Sequence, residues 1–143
     1  MIEFGEEDYQ TAWDDILKQT HDHYSEAYAD EDYDPNLAEY EAIAAAGLLC
    51  VVTGRRAGAL VAYSVCFVRT HLHQQSVPWG FVDSYWVRRD CRGPRVVLRL
   101  VQAVEDALRA RGVRKVFATE RTDGRLFAHM GYRAAERNYI KEL

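Results

Sequence analysis

Residues 48–70 hold two apolar runs, Leu48–Thr53 (LLCVVT) and Ala59–Thr70 (ALVAYSVCFVRT), on either side of Gly54-Arg55-Arg56-Ala57-Gly58. Both runs are rich in β-branched residues, and glycine supplies the positive φ that a tight reversal needs. Two such runs joined this way predict an antiparallel hairpin. Strands this apolar have to be covered on both faces, and the flanking sequence offers the covers. Asp8–Ala29 reads as an amphipathic helix, with Ala12, Trp13, Ile16, Leu17 and Tyr24 at three- and four-residue steps. Leu37–Ala46 reads as a second helix, capped by Asn36 and stopped by Gly47. Val96–Arg111 reads as a third, with Val97, Leu100, Val101, Val104 and Leu108 on one face and Gly112 at its end.

The remaining segments complete the expected order. Asp30–Pro35 (DEDYDP) is a charged connector, and His71–Trp79, polar and holding Pro78, is expected to be mostly connection. Gly80–Arg88 (with FVDSYWV) is a strand, Arg89–Pro94 a turn and Val113–Thr119 a strand. Thr122 or Asp123 caps a short helix to Met130 that Gly131 closes, and Tyr132–Leu143 ends the chain as a strand. The class is α/β (α+β): one mixed, mostly antiparallel sheet with helices on both faces. At 143 residues the expectation is a single domain, residues 1–143. No apolar run reaches the ~18–20 residues of a membrane span. The acidic start MIEFGEEDYQ lacks the basic-then-apolar pattern of a secretory signal. Cys50, Cys66 and Cys91 are odd in number and fit no zinc spacing, which points to a reducing, cytoplasmic setting.

Charge is segregated. Residues 1–46 carry fourteen acidic groups and one basic one, Lys18; residues 47–143 carry seventeen basic and eight acidic groups. The net values are −13 and +9, which give the chain's −4. One explanation is that the halves pack together and neutralise each other. The other is that an acidic rim attracts cations and a basic face attracts phosphates. The two are compatible. The acidic third would repel a phosphate backbone, which argues against nucleic acid as a partner.

Val87–Leu100 (VRRDCRGPRVVLRL) is the segment with chemistry in it. A strand ends, a tight Arg-Gly turn follows, and a helix begins at once. Unpaired N–H groups at a helix start carry partial positive charge and suit a pyrophosphate. Arg88, Arg89, Arg92, Arg95 and Arg99 surround this start, and arginine–phosphate bonds are among the strong ones. The plainer alternative is a solvated basic helix start.

This stretch resembles the coenzyme A loop of the GNAT superfamily of N-acyltransferases, a strand Val followed by Arg-Gly-x-Gly-x-Gly or Ala. Val87, Arg92, Gly93 and Leu100 fall on the matching positions. LFAHMGYR resembles the family's short helix ending in Gly-Phe or Gly-Tyr, here Gly131-Tyr132. The element order matches from about residue 8 to the end. More narrowly, HLHQQSVPWGFVDSYWV, RGPRVVLRL and ERNYIKEL resemble GNAT-like proteins of tailed bacteriophages. Two later loop glycines fall on Arg95 and Val97, and Pro94 removes one N–H. The family's frequent acid tyrosine falls on Phe127, so that role is not carried over.

The resemblance implies a sheet splayed between its fourth and fifth strands. Backbone amides near Trp86 and Val87 would bind a thioester carbonyl and a pantetheine arm, stabilising the developing oxyanion. Arg88, Arg92, Gly93, Pro94, Arg95, Val96 and Val97 would hold the rest of acetyl-CoA, the implied co-substrate; no metal is implied. Asp83, four residues before Val87 and on the same strand face, is the first candidate base. Glu120, after the next strand, is the second. Tyr139 on the closing strand is the candidate acid, with Tyr85 in reserve. His71 and His73 share a face if extended, but no third ligand is near, so they read as polar lining of the acceptor pocket rather than a metal site.

Two functions follow. The first is an N-acetyltransferase moving an acetyl group from acetyl-CoA to a primary amine on a protein lysine or N-terminus, a polyamine or another small cationic amine. Asp30, Glu31, Asp32 and Asp34 would favour a cationic acceptor. The second is a GNAT fold kept as a structural or partner-binding module, for instance in a phage particle, with the charge split used for docking into a homodimer or larger complex. The location is cytoplasmic, in the host cytoplasm or virion if the chain is phage-encoded. No membrane partner is expected.

Overall fold

A computed structural model describes residues 1–29, 31–120 and 125–143. Its elements run β1 (Glu3–Glu7), α1 (Tyr9–Ala27), α2 (Leu37–Ala45), β2 (Leu49–Arg56), β3 (Ala59–His71), β4 (Gln74–Val87), a single 3₁₀ turn (Arg89–Cys91), α3 (Pro94–Ala110), β5 (Lys115–Ala118) and α4 (Arg125–His129). The five strands form one open sheet in sequence order, antiparallel except for the parallel β4–β5 pair. The mixed, mostly antiparallel sheet read from the sequence is therefore present, with helices on both faces.

Period-two alternation divides the core. Cys50 and Val52 of β2 and Ala62 and Cys66 of β3 point toward α3, where Leu100, Val104 and Leu108 meet them. Leu49, Val51, Tyr63, Val65 and Trp86 point the other way, onto Ala12 and Ile16 of α1. Gly80 lets α3 come close, since a Cβ there would lie 2.9 Å from a Leu108 methyl.

Three expectations are corrected. Glu3–Glu7 is an edge strand on β2, unsignalled because three of its five residues are glutamates, two of them partly buried in ion pairs, and only Phe4 packs on the apolar core. Residues 71–79 are mostly strand: β3 reaches His71, β4 starts at Gln74, and Leu72-His73 makes the reversal. Pro78 is tolerated because its carbonyl accepts from the Arg114 N–H at 3.1 Å on the β5 side, just outside the first β4–β5 pair. The N–H it lacks would face that same unpaired rim. Finally, residues 132–143 form no strand. Tyr139 and Ile140 are adjacent rather than alternating, and they are 83% and 93% exposed. Thr122 and Asp123, the expected helix caps, lie outside the described residues, as does Asp30 of the connector.

The charge halves do neutralise each other in part. Arg55 binds Glu7 at 2.6 Å and Asp15 at 2.9 Å, and Arg111 binds Glu6.

Candidate functional site

The sheet opens along β4. Pairing with β5 runs from Trp79↔Lys115 to Val82↔Ala118 and stops, while β4 continues to Val87. On its other edge β4 stays paired with β3 through Val87↔Ala62. The Arg88 N–H donates to the Val61 carbonyl at 2.8 Å, so Arg88 and, two residues back, Trp86 turn their main chain to β3. Val87 and Tyr85 therefore turn theirs to the opening. Of the two amides expected there, Val87 faces the gap and Trp86 does not; counting back from Val87 by the strand period would have selected Tyr85. The Trp86 ring is core, 4% exposed.

Below the opening the chain makes its 3₁₀ turn and enters α3. Gly93 is the N-cap in extended backbone, and Pro94 is the first helical residue. The N–H groups of Val96 and Val97 bond back to the Gly93 carbonyl at 3.0 and 3.2 Å. Among the described residues, the N–H groups of Gly93 and Arg95 have no acceptor. A Cβ on Gly93 would meet nothing within 4 Å, so the approach to this helix start is clear. Arg95 is exposed and makes no hydrogen bond or ion pair among the described residues, so it remains available to an incoming anion.

The other four arginines are engaged. Arg88 grips Asp90 through two bonds of 2.6 and 3.0 Å, and Arg56 adds a third at 3.1 Å. These cations hold the Asp90 carboxyl far below the usual range. Arg99 donates to the Ile2 carbonyl at 2.9 Å and lies over the Phe4 ring. Arg92 donates through Nε to the Val87 carbonyl at 2.7 Å and through Nη2 to Glu26 at 2.5 Å; Arg89 reaches the other Glu26 oxygen at 2.8 Å.

The opposite wall of β4 bounds a cavity of about 1060 Å³ beneath α1, the connector and α2. Trp13, His23, Tyr24, Tyr33, Tyr40 and Tyr63 line it, with the carboxylates of Asp32, Asp34, Glu39 and Asp83. The Tyr40 hydroxyl donates to Asp83 at 3.2 Å. Water still reaches part of Asp83, yet its crowded carboxyl is raised above the ordinary aspartate range: burial lifts it more than the long Tyr40 bond lowers it. Tyr40 in turn is raised, by burial first and by Asp83 second. His23 and Tyr63 share a 2.6 Å hydrogen bond, and burial lowers the His23 pKa, which favours the uncharged ring.

Tyr85 joins the two regions. The residue borders the cavity, and its ring packs on the α3-side core and edge-on against Phe127, with centroids 5.7 Å apart. Burial raises its hydroxyl, and the negative charge of Glu120 raises it further, which brings that carboxylate into electrostatic reach. Asp83 stands one residue past Val82↔Ala118, where the β4–β5 pairing ends, and Tyr85 two residues further along the same edge. Tyr139 lies on the exposed terminal stretch and does not line the cavity. His71 and His73 also stand apart: their rings are 5.3 Å from each other at the β3–β4 reversal, with His71 stacked on Trp79, and they do not line the cavity. Among the described residues no group of three or more His, Cys, Asp or Glu is placed to hold a metal ion. Tyr40 was missed because it comes from another helix, 43 residues from Asp83 in sequence.

No curated protein matches this chain by sequence. Solved structures match its fold. A predicted acetyltransferase from Clostridium acetobutylicum, determined with acetyl-CoA, superposes with a TM-score of 0.75 at 10% identity, covering 99% of this chain and 96% of that one. Glucosamine-6-phosphate N-acetyltransferase from Arabidopsis thaliana gives 0.74 at 13% identity, with 99% and 98% covered. An aminoglycoside acetyltransferase from an uncultured soil metagenomic sample, in complex with sisomicin, gives 0.71 at 11% identity, with 99% and 94% covered. The sequence profile of the acetyltransferase (GNAT) family matches residues 13–132. With most of α1, the other helices, the opening in the sheet and the loop inside that match, the chain belongs to the acetyltransferase (GNAT) family and is an acyltransferase.

Proposed function

We propose that this protein moves the acetyl group of acetyl-CoA to the primary amine of a small, cationic acceptor. The observation that carries the reading is that β4 supplies both halves of such a site. Tyr85 and Val87 face the opening in the sheet, and Asp83, a few residues earlier, stands on the wall of an acid-lined cavity. The solved relative with acetyl-CoA and those acting on amino sugars and aminoglycosides support the two substrate classes.

The chemistry follows from these residues. An acceptor arrives as an ammonium, drawn by Asp32, Asp34 and Glu39. Asp83, raised by burial, is a better proton acceptor than an exposed aspartate and takes one proton, leaving the nitrogen lone pair free. Attack forms the C–N bond, and the Val87 N–H, aimed into the opening, receives the charge growing on the thioester oxygen. Collapse breaks the C–S bond. The thiolate takes a proton from Tyr85, whose hydroxyl is then restored by the second proton of the amine nitrogen. The products are the amide, free CoA thiol and the proton on Asp83. Tyr85 replaces Tyr139 as the acid, and Glu120 is the alternative base beside it. Cys50, Cys66 and Cys91 are all unpaired, which fits the reducing cytoplasm we propose as its setting.

The test is thiol release from acetyl-CoA against a panel of small amines, with CoA binding followed by calorimetry. Steady turnover with a diamine or aminoglycoside, lost in Asp83→Asn, is expected. No CoA binding at millimolar concentration would overturn the reading.

A further inference from the structure

We propose that Glu26 occupies the arginines of the coenzyme loop as an internal anion, and that a bound diphosphate displaces it. The inference rests on the loop at the start of α3 taking that diphosphate. Glu26 is on the last turn of α1, yet both its oxygens are committed to the loop: Oε1 to Arg89 at 2.8 Å and Oε2 to Arg92 at 2.5 Å. Burial alone would raise its carboxyl, but the two guanidinium groups win and hold it below the ordinary range. It is therefore a full negative charge at neutral pH. Arg92 directly precedes Gly93, whose N–H, with that of Arg95, is an open donor of the helix start. A diphosphate on those donors meets the Glu26 carboxylate across Arg92, and two anions compete for one fork.

The same helix turn has a second face. His23, Tyr24 and Ala27 line the acceptor cavity, and His23 lies within the electrostatic reach of both Glu26 and Arg92. Glu26 is thus a positioning residue that sets the affinity of the coenzyme.

The experiment is calorimetric titration of CoA, and of pantetheine as a probe lacking the diphosphate, into the wild type, Glu26→Gln and Glu26→Ala, with far-UV dichroism and Tm reporting that each is folded. Glu26→Gln is expected to bind CoA about three- to tenfold more tightly, the scale of two partly exposed ion pairs removed from competition. Pantetheine binding is expected to stay the same. The CoA affinity of Glu26→Gln is expected to fall more steeply with added salt than that of the wild type, because its arginines start unneutralised. Unchanged or weaker CoA binding in both variants overturns the proposal. So does tighter binding of pantetheine by the same factor, which would report general loosening. Failure of every form, wild type included, to bind CoA overturns this inference together with the loop's role, whereas equal binding by wild type and variants overturns the inference alone.

Discussion

Replacing Asp83 by Asn separates catalysis from stability, because the two respond in opposite directions. Asp83 is nearly isosteric with Asn, and its one side-chain partner among the described residues is the Tyr40 hydroxyl at 3.2 Å, a bond an amide oxygen can still accept. What the change removes is the proton acceptor. Loss of a positioned general base costs about 10²–10⁴ in rate, which is about 3–5.5 kcal/mol of barrier at 1.36 kcal/mol per tenfold. Stability moves the other way. The Asp83 pKa is raised in the folded protein, so the folded state binds its proton more tightly than the unfolded chain does. The ionised carboxylate therefore destabilises the fold above the unfolded pKa, and that cost fades as pH falls to the unfolded range near 3.8. Asp83→Asn should thus be at least as stable as wild type at pH 7.5 and lose that advantage near pH 4. The assays are kcat/KM from pH 5 to 9 by thiol release, and urea unfolding at the two pH values. Retention of more than a tenth of wild-type activity with the acidic limb of the pH profile unmoved would refute the assignment. A clear loss of stability at pH 7.5 would refute the account of its environment.

Three further outcomes follow from the same geometry. Tyr40→Phe withdraws the one bond that lowers the Asp83 pKa, so the acidic limb of the pH–rate profile should move to higher pH with the plateau kept; profiles of the two proteins check this. Tyr85→Phe should lower kcat about 10²-fold or more while Tyr139→Phe leaves it within twofold, measured by steady-state kinetics. Gly80→Ala places a methyl 2.9 Å from Leu108 and 3.3 Å from Val113, so it should cost about 1–3 kcal/mol by urea unfolding. Leu108→Val in the same chain should recover part of that loss, a non-additivity expected only of touching residues.

The parts of the fold legible in the sequence are those whose residues answer to a single local constraint. The β2–β3 hairpin was legible because both runs are apolar and a positive-φ Gly58 closes the reversal between them. Helix α3 was legible because Leu100, Val104 and Leu108 bury one stripe. Strand β1 was not, because an edge strand needs only one packed side chain, Phe4, and its pairing is made by backbone groups the sequence does not distinguish. The terminal strand failed for the converse reason: Tyr139 and Ile140 have strand propensity, but propensity without a neighbour to pair with leaves them in solvent.

The site divides along the same line. Val87 could be placed from strand period, but the shared face expected for Asp83 is corrected: the register passes from Val65↔Ser84 to Cys66↔Val82, so Asp83 is an extra, bulged residue that turns to Tyr40 of α2 while Val87 packs in the core under α3. The five arginines could be located near the helix start, but the sequence could not show that four of them are engaged by Asp90, the Ile2 and Val87 carbonyls and Glu26, groups far apart along the chain, while Arg95 is not. Such pairings are decided by packing that brings α1 within 2.5 Å of a residue 66 positions later in sequence. Charge segregation allowed that the halves would meet; it could not say that Glu26 would sit on Arg89 and Arg92 while Asp32, Asp34, Glu39 and Asp83 were left to line the cavity. That distribution matters more for function than the totals. Acids matched to arginines hold the fold together, whereas Asp32, Asp34 and Glu39, which have no arginine or lysine partner among the described residues, retain the negative field on which the proposed choice of a cationic acceptor rests.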